Sequence, residues 1–574
     1  MSEPKQPKQP KQPKHKWSIK PTRKFIPSGT TLDYLIQNRN LREDFVDPEL
    51  LILAPPEEVF LDLEKASTLI QFGIMSGYKI GISGDYDVDG MTSTALLLRT
   101  FKEIGAVANY AIPSRMGEGY GLNNRIVEEF YNDGYKILIT VDNGTSAIEP
   151  IRRAKELGLI VIVTDHHEPS LTGELPIADA ILNPKFVCQN NEWSQVSGVG
   201  MAFILAMCVA QKFNLHEKLM GECLELLTLG TIADMVALTG VNRRWVKRGL
   251  KLIPNSQNLG IQALMAVAGM ELGGKDGLKP DDIGFKLAPR INSVGRIGEP
   301  QQVINLLSTT NIVEAMELAH EIEGLNEERQ GLVKTWERIV FDHINLQLEA
   351  DPEKFEREKV IYYFEKGIHK GIVGLIANKV VEKYGYPAFV GSVSEEYKIS
   401  GSCRGGMFFD VFAALNYCSE YLATFGGHKA AGGFSLWWDI NNNFHERLIK
   451  YANLVSKPEE LGTKLVFVDH CLDFTQISLN TFREVQVLQP FGMKNPEPIF
   501  YTTNVKVLKQ DKLNFPDAVK FTFEKDGITV RAIGWDFQKY LPLPEYVDIA
   551  YKLKENFWNG KVTVELNLES FKSC

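Results

Sequence analysis

From Lys79 to Pro184, short, mostly apolar runs alternate with stretches of helical periodicity. The runs are Ile80-Gly-Ile82, Val107 to Ile112, Ile137 to Val141 and Leu159 to Val163. Between them lie Met91 to Ile104, Arg125 to Asn132 and Ala147 to Leu157. A strand that is apolar on both sides can face water on neither. This pattern therefore requires a parallel sheet with helices on both faces, and it sets the fold class as α/β. Ligands of such sheets bind beyond the carboxyl ends of the strands.

Carboxylates collect at that edge. Asp85, Asp87 and Asp89 follow the first run within Gly84-Asp-Tyr-Asp-Val-Asp-Gly90, Asp142 follows the third, and Asp165-His166-His167 follows the fourth. One aspartate at a strand end reads as a cap for the next helix. Five, joined by two histidines, do not. Two unit charges about 4 Å apart repel by about 4 kcal/mol at an effective dielectric near 20. Several together cost on the order of 10 kcal/mol unless cations neutralise them. Carboxylate and imidazole without thiolate favour Mg²⁺ or Mn²⁺ over structural zinc. Asp234 ends the helical run Leu224 to Ala233, where the dipole offers a carboxylate nothing. A solvated helix end is one reading of it, and the misplacement favours a functional one.

A chain of 574 residues is too long for a single core. The expected division is a basic, disordered tail of KQP repeats (1–24), a first α/β domain (25–310), a connecting helix (311–350), a second α/β domain (351–460) and a small β-barrel (461–574). Seven cysteines without a CxxC pair point to a reducing cytoplasm. The opening residues hold no apolar stretch fit for a signal peptide. The longest apolar run, within Val199 to Ala210, is too short to span a bilayer. No membrane role is expected. With a net charge of −9, the molecule as a whole will not attract a polyanion; if the partner is nucleic acid, cations must be concentrated locally, on the substrate path or at bound metals. In Arg243-Arg244-Trp245-Val-Lys247-Arg248, helical spacing favours a solvated basic face with a buried Trp over a strand-binding patch.

Gly84 to Gly90, Val141-Asp-Asn-Gly144, Thr164-Asp-His-His167 and Gly230-Thr-Ile-Ala-Asp234 together resemble the four ordered motifs of the DHH phosphoesterases. Within that superfamily the chain resembles the RecJ single-stranded-DNA exonucleases. The supporting segments are Pro113 to Gly121, Pro289 to Arg296, Phe425 to Gly433 and Asn495-Pro-Glu-Pro498. The resemblance implies a DHH catalytic domain, a DHH-associated substrate-binding domain and a barrel of the OB type.

It also implies roles. Asp87 and Asp142 would hold one divalent cation, and Asp89, Asp142, His166 and Asp234 a second, with Asp142 bridging. His167 would contact the scissile phosphate, and Asp85 would support the site. Ser83 stands where some relatives carry a histidine ligand, which implies a first cation that is weaker or completed by water. Ser402 and Arg404, with Arg115, would receive a terminal 5′ phosphate, and a hydroxyl beside a guanidinium suits that task. Gly427 and His428 match a substrate-binding glycine motif, since glycines let amides approach a phosphate. Arg290 and Arg296 would contact phosphate or remain surface charges. In the barrel, Phe491, Phe500, Tyr501 and Trp535 are open between base stacking and core.

The implied activity is two-metal (Mn²⁺ or Mg²⁺) 5′→3′ hydrolysis of single-stranded DNA to 5′-mononucleotides in repair, recombination or replication. The enzyme would be a cytoplasmic monomer working beside a single-strand-binding protein or a helicase. Two alternatives are a phosphodiesterase for short oligonucleotides or cyclic dinucleotides and an inactive replication scaffold. The β domain counts against the first, and the intact carboxylates count against the second.

Overall fold

The computed structural model of the chain describes residues 15–19, 29–114, 119–169, 173–188, 191–273, 277–457, 461, 464–515, 517–558 and 560–574. Its first sheet is wholly parallel, in the order Ala108–Ala111, Lys79–Ser83, Tyr135–Val141, Ile160–Thr164, Ala180–Leu182. Side chains alternate between two buried faces, as a double-sided apolar strand requires. Ile137, Ile139 and Val141 enter a large core beneath the helices Val88–Ile104 and Gly198–Lys212. Leu138 enters a second core with Ile126, Phe130 and Ile151. Asp87 caps Val88–Ile104 by accepting from Gly90 N, and Gly105 closes that helix at φ 84°.

One unbroken helix, Ile312–Ala350, crosses to the second α/β unit. At about 1.5 Å per residue it is about 60 Å long. Ala315, Ala319 and Ile322 lie in the first core, and Val340 and Ile344 lie in the second unit's. There the sheet runs Thr424–Gly427, Ala431–Trp437, Lys398–Arg404, Ala388–Val393, Ile361–Lys366, and only the last pair is parallel. The C-terminal strands close into a five-stranded barrel when Tyr546–Trp558 pairs back onto Phe500–Lys512. The turn at Asp526 (φ 51°) and Gly527 (φ 79°) is the tight hairpin that its sequence announces.

Three readings of the sequence need correction. Inside the expected disordered tail, strand His15–Ile19 pairs in parallel with Lys464–Val468. Inside the expected first domain, helix Thr31–Arg39 belongs instead to the barrel. Its Leu35 is fully buried in the barrel core, and Arg39 forms a buried two-pronged ion pair with Asp469 at 2.9 and 2.7 Å. Nor is the basic run a solvated face. Arg243 is 1% exposed and donates to the carbonyls of Phe45, Leu488, Gln489 and Pro490 at 2.6, 2.9, 2.9 and 3.1 Å. Arg244 donates to Pro48 O and Leu51 O, and Arg248 pairs with Glu49. The run fastens residues 45–51 and the approach to the barrel onto the catalytic unit. Sequence periodicity cannot show this, because every partner is remote.

Arg39→Ala breaks a buried ion pair, which typically costs about 3–5 kcal/mol. Hydrogen exchange across 464–573 should accelerate accordingly in the barrel strands, while the sheet of 79–182 keeps its protection. Unchanged barrel protection would mean that helix Thr31–Arg39 contributes nothing to barrel stability.

Candidate metal centre

Seven sequence-predicted side chains come together at the carboxyl edge of the first sheet. Within one group, ligand atoms of Asp85, Asp87 and Asp142 all lie within 4.8 Å of one another; a second such group is Asp89, His166 and Asp234. His166 Nε2 lies 3.1 Å from Asp142 Oδ1, 3.7 Å from Asp89 Oδ2 and 3.6 Å from Asp234 Oδ2. Asp142 therefore stands between the two groups.

Local structure explains each placement. Asp142 leaves its strand at φ 59°, a left-handed conformation that Asp tolerates better than most residues. Tyr120 Oη donates to its carbonyl at 2.5 Å. The next residue, Asn143, accepts from Leu122 N and donates to Ser83 O and Val141 O, tying the turn to the neighbouring strand. Asp89 accepts from Gly198 N at 2.8 Å and Val199 N at 2.7 Å, so a helix N-terminus offsets part of its charge. A Cβ at Gly198 would fall 2.5 Å from Asp142 Oδ1, so only glycine gives the carboxylate that position. Asp87 is a helix cap and a member of the acidic group at once.

Electrostatics divide the side chains by role. Burial, followed by repulsion from neighbouring aspartates, raises the pKa values of Asp89, Asp142 and Asp234. Burial and the neighbouring His167 push His166 down to about 3, leaving it a neutral imidazole with a lone pair to give. His167 differs. Burial opposes its charge, but the 2.8 Å contact of its Nδ1 with Asp165 and the surrounding carboxylates outweigh that, and its pKa rises. Asp165 is held low despite burial by His167 and by the amides of Thr145, His166 and His167. Sequence reasoning gave Asp165 no role of its own. It is the hinge of the Asp-His-His motif, favouring the protonated form of His167 through contact with Nδ1 and accepting from the amides of both histidines.

The donor set fits divalent cations. Five aspartates are hard oxygen ligands, one neutral histidine adds a borderline nitrogen, and buried Asp142 Oδ1 accepts no hydrogen bond among the described residues.

The second α/β unit faces this centre. The hairpin Thr424–Gly427/Ala431–Trp437 turns at Gly427 (φ 139°) and brings the His428 ring to 6.5 Å from that of His167, the planes 16° apart. On the adjoining strand, Arg404 Nη1 donates to Ser402 Oγ at 2.9 Å. Both face the start of helix Val373–Tyr384, where a Cβ on Gly374 would come within 3.0 Å of Arg404 Nη2. Arg296 donates to Gly371 O at 3.2 Å, just before that helix, whereas Arg290 is bound to Glu323 at 2.5 Å. Arg115 lies outside the described residues. Of the four barrel aromatics, Phe500 is core, Phe491 and Tyr501 are half-buried, and Trp535 is exposed beside Phe515. Beside Asp234 opens a cavity of about 400 Å³, lined among others by Met235, Phe285, Arg296, Leu375, Phe491 and Met493.

Comparison with known proteins matches this layout. Residues 79–231 match the DHH family N-terminal domain, 357–453 the DHHA1 domain and 468–570 the RecJ OB domain. The single-stranded-DNA-specific exonuclease RecJ of Bacillus subtilis is 33% identical over 88% of this chain, which spans 63% of that relative's length. RecJ of Escherichia coli is 31% identical, with 90% of this chain and 91% of that protein aligned. The crystal structure of Thermus thermophilus RecJ in complex with Mn²⁺ superposes with a TM-score of 0.80 at 29% identity, covering 95% of this chain and 76% of that one.

The raised aspartates give a signed test. A carboxylate whose folded pKa is raised adds stability below its unfolded pKa, near 4, and loses that contribution as pH climbs towards the folded value. A bound cation removes this loss. The gain in melting temperature on adding Mn²⁺ to the chelated protein should therefore grow from pH 5 to pH 8. A hundredfold excess over Kd is worth about 2.7 kcal/mol. A gain that stays flat or shrinks with pH would contradict the assignment of these carboxylates as ligands.

Proposed function

Because this chain belongs to the RecJ family of DHH phosphoesterases, we propose that it is a divalent-cation-dependent exonuclease that degrades single-stranded DNA from the 5′ end to 5′-mononucleotides. The observation that carries this reading is the convergence of Asp85, Asp87, Asp89, Asp142, Asp234 and His166 opposite the hairpin of the second α/β unit. Asp87 and Asp142, supported by Asp85, would hold one cation. Asp89, Asp142, His166 and Asp234 would hold the other. When bound, the cations supply Lewis-acid chemistry, lowering the pKa of water and offsetting charge on the phosphate oxygens.

The chain's own residues do the rest. Asp165, in contact with His167 Nδ1, favours the protonated ring, which would meet the scissile phosphate as negative charge builds on its oxygens. His428, seated across the cleft from that ring, narrows the path to the phosphate. Ser402 and Arg404 at the head of helix Val373–Tyr384 form a receptor for a terminal phosphate, combining hydroxyl, guanidinium and helix N-terminus. Arg115 is their proposed partner from the first domain. Arg296 steadies the turn before that helix, and Arg290, bound to Glu323, serves the join with the long helix. The barrel gives a long strand a second foothold, which favours this reading over a phosphodiesterase for very short oligonucleotides. The setting is DNA repair, recombination or replication in the cytoplasm, with the enzyme a monomer beside a single-strand-binding protein or helicase.

Digestion of an oligonucleotide about forty nucleotides long, labelled at either end, tests the reading. With Mn²⁺ present, the wild type should release mononucleotides from the 5′ end and spare the duplex. Arg404→Ala should lose roughly tenfold to a hundredfold in kcat/KM on 5′-phosphorylated strands, the worth of one charge-assisted hydrogen bond, and little on 5′-hydroxyl strands. Equal losses on both would assign Arg404 to the fold. Attack from the 3′ end by the wild type would overturn the polarity.

A further inference from the structure

Arg243 is a buried cation in the first turn of helix Gly240–Leu252, the positive end of a helix dipole, and pairs with no carboxylate among the described residues. Its guanidinium lies over the Phe45 ring, 4.3 Å from the centroid, and donates to four carbonyls, three of them in the loop that leads from helix Leu479–Gln486 towards the barrel. Asn495, 1% exposed, closes the same loop from the other side by donating to Leu488 O at 2.9 Å and Pro490 O at 2.8 Å. So closed, the loop presents Met493 O to Leu238 N at 3.0 Å. It also sets Gly492 against the Leu238 side chain, where a Cβ would come within 2.7 Å of Cδ1.

Leu238 lies four residues beyond Asp234. Between them the chain turns through Met235 at φ 55°, and Ala237 O accepts from Asn242 Nδ2 at 3.2 Å. Helix His216–Ala233 therefore holds Asp234 on one side. On the other, the peptide leading away from it is pinned by a loop that belongs to another domain. Without that loop, the buried guanidinium of Arg243 would lose three of its four carbonyl acceptors and keep Phe45 O alone, which makes undocking costly.

Resting on the two-cation reading above, we propose that Arg243 is a positioning residue for the cation site of Asp234, acting through the docked loop Leu488–Asn495. The barrel's attachment is thereby coupled to the geometry of the catalytic centre. A shift of the loop moves the turn 235–238 and with it the one ligand in the centre that sits at a helix C-terminus.

The test is calorimetric titration of Mn²⁺ into the full chain for wild type, Asp234→Asn, Arg243→Met and Asn495→Ala, with hydrogen exchange over 230–240. Wild type should bind two ions, and Asp234→Asn should lose one of them. Arg243→Met should weaken that same site by about tenfold or more, the usual effect of losing an outer partner, leave the other site unchanged and speed exchange at 235–238. Asn495→Ala reaches the loop without touching the catalytic unit and should do the same. If Arg243→Met does not fold, Asn495→Ala and Arg243→Lys decide by the same criterion. Wild-type affinity at both sites in a folded variant, or an equal loss at both, would overturn the coupling. Failure of the wild type to bind Mn²⁺, or of Asp234→Asn to lose an ion, would instead overturn the reading beneath it.

Discussion

Negative charge held out of water is the constraint around which this molecule is arranged. Asp85, Asp89 and Asp142 are each at most 1% exposed, with Asp87 and Asp234 beside them. Each close pair repels by a few kcal/mol at the dielectric of a protein site. The scaffold offsets only part of this. Asp89 rests on the amides of Gly198 and Val199, and Asp87 on that of Gly90. Asp142, in the middle, receives no such support at its Oδ1. A polypeptide can hold so many carboxylates together because divalent cations complete the arrangement, and the parallel sheet supplies the edge on which they assemble.

The other parts of the chain answer to that edge. The long helix Ile312–Ala350 is shared by two cores and sets the second α/β unit opposite the first, so that His428 comes to face His167. The barrel is fixed by remote contacts rather than by its linker: Arg39 with Asp469, and Arg243 with three consecutive carbonyls. These joins bring groups from all three units to the cavity beside Asp234.

Much of this was legible in the sequence. Double-sided apolar runs named the parallel sheet, and aspartates after the first, third and fourth runs named its acidic edge. Motif spacing named the family. What escaped was whatever depends on partners far along the chain. Helix Thr31–Arg39 reads as the start of the first domain because nothing local reveals that Leu35 is buried in a barrel formed more than 430 residues later. The basic run at Arg243 reads as a surface because charged residues are seldom fully buried, and its acceptors, at 45–51 and 488–490, lie far along the chain. Asp165 was hidden by its neighbours, since it contacts His167 and the surrounding amides rather than joining the acidic groups.

The central claim is that the carboxylates form two cation sites sharing Asp142. Anomalous scattering at the manganese edge from crystals of the full chain grown in Mn²⁺ tests it most directly. The account expects two peaks, one among Asp85, Asp87 and Asp142, the other among Asp89, Asp142, His166 and Asp234. A single peak, or two peaks that do not share Asp142, would contradict it.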